Sequence, residues 1–180
     1  MQVIVNPARE DWKGLLQRPY ADNTAVLQTV EEILVAVKEK GDSAVRDFTQ
    51  RFGNVVLDAL QVSEKEISSA ASELSDELKT AIQQARQNIE TFHAAQAGKV
   101  EIVETMPGIQ CWRKSVGIEK VGLYIPGGTA PLFSTVLMLA IPAKLAGCKE
   151  IILCSPCDKE GKLHPAILYA AALTGITKVY

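Results

Sequence analysis

Short apolar runs alternate with helical segments in the last third of this 180-residue sequence, and this alternation constrains the fold most. The apolar runs at 121–125 and 151–154 have the length of buried strands, and a third strand is expected to begin at Thr177–Tyr180. The segments from Pro131 to Ala146 and from His164 to Leu173 are predicted to be helices. A strand–helix–strand–helix–strand order predicts a parallel sheet with right-handed crossovers.

Proline and glycine set the expected ends of these helices. Pro131 is expected in the first turn, where its missing N–H leaves no hydrogen bond unmade. Pro142 is expected to kink that helix, and Gly147 to end it in the left-handed conformation. Gly175 is expected to stop the second helix.

The first half of the chain, residues 1–98, is predicted to be mainly helical. One apolar stripe at helical spacing ends at Gly41. The candidates for its N-cap are Asp22, Asn23 and Thr24. A second, short helix is predicted from Asp42 through Phe48, with its end near Gly53.

A capping box and a long amphipathic helix complete the helical half. Ser63 and Glu66 have the capping-box spacing. The long helix is predicted from about Ser75, with the apolar stripe Leu78, Ile82, Ala85, Ile89 and Phe92. We expect each amphipathic helix to bury one side.

Residues 99–120 are predicted to form a strand hairpin and a connection. Val100–Thr105 alternates apolar and polar residues, as a half-buried strand does, and Ile109–Lys114 is its expected partner. The turn is expected at Pro107–Gly108. The fold class is therefore α/β, with an amino-terminal helical region followed by an incomplete parallel-sheet unit. A sheet of three strands has little apolar cover, which favours a piece of a longer polypeptide over a complete small domain.

Composition excludes several classes of protein. Nineteen basic and twenty-one acidic side chains give a formal charge of -2, without the basic excess typical of nucleic-acid binding. The longest apolar run, 130–146, is interrupted by Ser134, Thr135, Pro142 and Lys144 and is too short to span a bilayer. The first ten residues do not resemble a secretory signal, and four cysteines then indicate reduced thiols in the cytoplasm.

The loop 126–129, Pro-Gly-Gly-Thr, is the candidate ligand site. It joins a strand to a helix at the carboxyl edge of the sheet, where ligands bind in open α/β folds. Its glycines allow close approach of a ligand, or alternatively serve a tight turn with positive φ. Tyr124, just before the loop, can stack on a base or ribose, or can simply end a strand.

Cysteine and histidine give no independent sign of catalysis. Cys154 and Cys157 have C-x-x-C spacing, but Cys154 falls in an apolar strand, so structural thiols are favoured over a redox pair. His93 and His164 have no carboxylate or cysteine at ligand spacing, and structural roles are favoured for both.

The stretch from Val121 to Cys148, VGLYIPGGTAPLFSTVLMLAIPAKLAGC, resembles the signature region of histidinol dehydrogenases. Shorter similarities occur at Gly41-Asp42, Phe48-Thr49, Val62-Ser63, Asn88-Ile89, Phe92-His93 and Pro107-Gly108. The resemblance covers essentially all 180 residues in order.

This resemblance implies a cytoplasmic, zinc-dependent homodimer with intertwined subunits, which oxidises L-histidinol to L-histidine in two NAD-dependent steps. It implies that Tyr124 contacts NAD and that Pro126, Gly127 and Gly128 belong to the same cofactor site. Residues 121–180 would form the first part of the Rossmann-like NAD-binding domain.

Family members are much longer, and their acid–base, zinc-binding and most substrate-binding residues lie beyond the equivalent of Tyr180. No catalytic or metal-binding residue is therefore assigned to this chain, and it is expected to be inactive alone. The alternatives are a non-catalytic nucleotide-binding module and an assembly domain that docks through its helical half.

Overall fold

The computed structural model describes residues 3–18, 23–127 and 130–180. The chain divides into two compact units, Met1–Val45 and Arg46–Tyr180. The first unit contains a 3₁₀ turn at Arg9–Asp11 and the helices α1 (Trp12–Leu15) and α2 (Thr24–Lys40). Helix α3 (Asp42–Gly53) includes residues of both units and ends at Gly53, where its end was predicted.

Helix α2 has the predicted end but not the predicted buried side. Gly41 ends it with φ of +58°, and the Gly41 N–H donates to the Val37 carbonyl oxygen. None of its residues is buried, and Leu34 is 65% exposed. Its N-cap is Asn23, whose side chain makes no capping bond, whereas Asp22 lies outside the described residues. Periodicity locates an apolar stripe, but it carries no information on what covers that stripe.

The second unit contains the predicted parallel sheet. Its helices are α4 (Glu64–Ser69), α5 (Asp76–Ala94), α6 (Phe133–Leu145) and α7 (Pro165–Thr174), with a 3₁₀ turn at Ala70–Glu73. Its strands are β1 (Ile102–Met106), β2 (Ile109–Trp112), β3 (Lys120–Tyr124), β4 (Glu150–Cys154) and β5 (Lys178–Val179). Strands β3, β4 and β5 pair in parallel in that order, so the expected α/β class is confirmed.

One face of this sheet packs on the helices. Leu123 pairs with Leu153, and Leu153 pairs with Val179, and all three side chains are buried in the main core. Helix α6 packs against α5 and α7 in the same core. Because strand side chains alternate between faces, the opposite face carries Tyr124 and Cys154.

Helices α6 and α7 end in the same way. Gly147 and Gly175 follow them with φ of +85° and +79°. The Cys148 N–H donates to the Ala143 carbonyl oxygen, and the Ile176 N–H donates to that of Ala171. Both ends are Schellman motifs, in which a left-handed glycine satisfies carbonyl groups of the last turn, as the glycine signals predicted.

The start of α6 differs from the prediction. Leu132 is the N-cap, so Pro131 precedes the helix instead of occupying its first turn. Leu132 has φ of -85° and ψ of +52°, outside the helical region, and the helix can begin only after it. Pro142 does lie inside α6, while the expected kink stays a prediction.

The capping box and most of the long helix agree with the sequence. The Glu66 N–H donates to Ser63 Oγ at 3.3 Å, and the Ser63 N–H donates to the Glu66 carboxylate at 3.0 Å. Ile82 of α5 is fully buried against the core. Phe92, at the end of the same stripe, is 63% exposed, so the expectation that it is buried is wrong.

The hairpin of β1 and β2 forms as predicted, with Gly108 in its turn at φ of +83°. The expectation of half-burial is wrong, because every residue of both strands is exposed. Trp112, for example, is 59% exposed. Ile102 pairs with Trp112 and Val103 pairs with Cys111, so apolar pairs lie on both faces of the hairpin, and no described part of this chain covers them.

A row of three charged residues runs across the amino ends of the parallel strands. Lys178 Nζ donates to Glu150 Oε1 at 2.9 Å, and Lys120 Nζ lies 3.5 Å from Glu150 Oε2. The hydrogen bond from Lys178 and the charge of Lys120 lower the pKa of Glu150.

In the described part of the chain, no helix is both long and apolar enough to cross a membrane.

Candidate functional site

A cavity of about 590 Å³ opens at the carboxyl edge of the parallel sheet. The loop after β3 supplies Pro126 and Gly127, and the loop after β4 supplies Ser155 and Cys157. A third wall comes from α4 and the 3₁₀ turn that follows it, and Glu73 belongs to this wall. The volume is within the range of small-molecule sites, about 300 to 1,000 Å³. The cavity is where a ligand of an open α/β sheet is expected.

Gly127 is required by the close approach of the two loops. A Cβ atom on Gly127 would lie 2.7 Å from Pro156 Cγ, closer than side-chain atoms pack. Gly127 is absent from the described glycines with positive φ, so the alternative of a left-handed turn is wrong for this residue. The small residue therefore shapes the rim of the cavity by admitting Pro156.

The predicted cofactor residues separate into three groups. Pro126 and Gly127 line the cavity. Tyr124 is the last residue of β3 and is 64% exposed on the face opposite the helices, and it does not line the cavity. Gly128 lies outside the described residues. The ring of Tyr124 is therefore available to a ligand that extends past the rim onto the open face.

Ser155 carries an unsatisfied polar atom at this site. Its Oγ is buried and has no hydrogen-bond partner in the described chain. A buried hydroxyl without a partner is uncommon in native proteins and often indicates a missing water, ion or ligand. Ser155 was not among the predicted site residues. Its position directly after β4 was a usable signal, because the carboxyl ends of parallel strands meet at one edge of the sheet.

The α4 wall carries a constrained carboxylate. Hydrogen bonds from the Ser63 side chain and backbone lower the pKa of Glu66, and the charge of Lys162 contributes further. The Ser69 hydroxyl donates to the Glu66 carbonyl oxygen at 3.2 Å. The Glu66 carboxylate is therefore held at the start of α4 by its hydrogen bonds with Ser63.

Both histidines have structural partners, as expected. His164 is the N-cap of α7, and its Nδ1 accepts the Ala166 N–H at 3.1 Å. His93 Nδ1 lies 2.8 Å from Gln96 Oε1 in the last turn of α5.

The cysteines are free thiols. Cys154 lies in β4 as predicted, and burial raises its pKa, which disfavours the reactive thiolate. Cys157 lines the cavity. Among the described residues, no three histidine, cysteine or acidic side chains come together as a metal site would require.

The fold and the cavity define an α/β protein whose ligand site lies at the carboxyl edge of an open parallel sheet. A family model for histidinol dehydrogenase matches residues 16–180. The chain belongs to the histidinol dehydrogenase family, which is a family of oxidoreductases.

Individual relatives agree with this assignment. Histidinol dehydrogenase of Bacteroides thetaiotaomicron is 54% identical over the whole chain, and that of Escherichia coli O157:H7 is 48% identical over 93% of it. The crystal structure of histidinol dehydrogenase from Elizabethkingia anophelis superposes on the whole chain with a TM-score of 0.94 at 48% identity. The chain spans 42% of the length of the first and third of these proteins and 38% of the second.

Proposed function

We propose that this chain forms the NAD-binding part of a cytoplasmic, homodimeric and zinc-dependent enzyme that oxidises L-histidinol to L-histidine in histidine biosynthesis. Membership of the family supports the reaction, and the four free thiols are in keeping with the cytoplasm. The observation that carries the NAD-binding role is the cavity at the carboxyl edge of the sheet. Because the chain spans 42% of a relative's length, other residues complete the activity.

The cavity has the volume of a small-molecule site, and two of its features suit part of a nucleotide. It offers an apolar rim at Pro126 and Gly127 and a buried hydroxyl, Ser155 Oγ, that has no partner among the described residues. NAD, when bound, accepts the hydride that leaves the alcohol carbon. The part of this chain in that reaction is to hold the cofactor, with the ring of Tyr124 stacked on a base or ribose beyond the rim.

Zinc does not fit the described residues, since they contain no cluster of three ligands. We therefore assign the metal, and the base that accepts the hydroxyl proton, to parts of the enzyme other than this chain. No step of the oxidation is assigned to His93 or His164, because their Nδ1 atoms already face structural partners.

The test is a titration with NAD followed by amide chemical shifts in the 180-residue chain. Base–aromatic stacking is worth about 1 to 3 kcal/mol, so Tyr124→Ala is expected to weaken NAD binding by about tenfold. Tyr124→Phe keeps the ring and is expected to retain most of the affinity. Phe92→Ala removes a similarly exposed ring far along the sequence, on α5, and is expected to change nothing.

Two outcomes would contradict the proposal. One is the absence of any NAD-dependent shift at high cofactor concentration. The other is wild-type affinity in Tyr124→Ala, which would remove this residue from the site.

A further inference from the structure

No further inference is drawn: the strongest candidate, the apolar surface that the β1–β2 hairpin exposes on both of its faces, carries nothing, because no described residue shows what covers it and a second copy of the chain at that place would restate the homodimer of the proposed function.

Discussion

The contact between Gly127 and Pro156 gives the sharpest test of how the cavity rim is built. In Gly127→Ala the added Cβ would lie 2.7 Å from Pro156 Cγ, whereas ordinary contacts begin at 3.4 Å. The two loops must therefore separate by about 0.7 Å, the difference between these distances. Forcing one extra carbon into a packed site costs about 1 to 3 kcal/mol. Replacing glycine by alanine also reduces the conformational freedom of the unfolded chain, which returns about 0.4 to 1 kcal/mol. The mid-range values leave an expected net loss of about 1.3 kcal/mol, with an upper limit of about 2.6 kcal/mol.

A double-mutant cycle assigns this loss to one contact. Pro156→Ala removes the Cγ atom that Gly127→Ala would strike, so in that background the added methyl is expected to cost less than about 0.5 kcal/mol. Urea unfolding followed by circular dichroism gives each free energy. Gly122→Ala is the control, because its Cβ would meet Ile152 Cγ1 at an ordinary 3.8 Å.

The reasoning fails if Gly127→Ala is as stable as the wild type, or if its cost is the same with and without Pro156. A loss of stability in Gly122→Ala as large as that in Gly127→Ala would show that the residue type, and not this contact, is responsible.

Two further predictions concern the α4 cap and the chemistry of the chain. Ser63→Ala should lower the free energy of unfolding by about 1 kcal/mol at neutral pH. The folded-state pKa of Glu66 is lowered, so the stabilising effect of its carboxylate is present above pH 4.5 and is lost as the pH falls through the lowered value. The difference in stability between Ser63→Ala and the wild type should therefore shrink in acid. A difference that stays constant with pH would contradict this. The purified chain should produce no NADH from histidinol, NAD and zinc. A sustained rise in the absorbance of NADH would disprove our assignment of the base and the metal to other residues.

The regular elements of the second unit were largely predictable because their signals are local. Gly147 and Gly175 end their helices as expected, since the left-handed conformation needs no knowledge of distant residues. Ser63 and Glu66 form the expected capping box for the same reason. Pro131 was misplaced by the same kind of reasoning, because the conformation of Leu132 decides where the helix begins.

Burial was less predictable than secondary structure. Ile82 is buried and Phe92 is exposed, although both belong to one helical stripe. The difference depends on which other elements pack against each part of α5, which is a tertiary property. The same limit applies to Trp112 in the hairpin, whose apolar neighbours gave no information about what lies over them.

Only part of the candidate site was predicted from the sequence. Ligands of open α/β sheets bind at the carboxyl edge of the sheet, and this rule led to Pro126 and Gly127, which do line the cavity. Applying the rule to the next strand would also have led to Ser155. Glu73 could not be found in this way, because it reaches the cavity from a 3₁₀ turn more than fifty residues earlier in the chain.

The charged row of Lys120, Glu150 and Lys178 has a consequence for alignment errors during folding. Exposed ion pairs add little to stability. The effect of the charged row is instead to distinguish the native register of β4 from a slipped one. A one-residue slip of β4 against its neighbours would turn Leu153 outward and Ile152 inward, an exchange of two apolar residues that hydrophobicity alone penalises weakly. The same slip would carry the Glu150 carboxylate away from both ammonium groups. The charged row therefore favours the correct register, which the apolar residues alone favour only weakly.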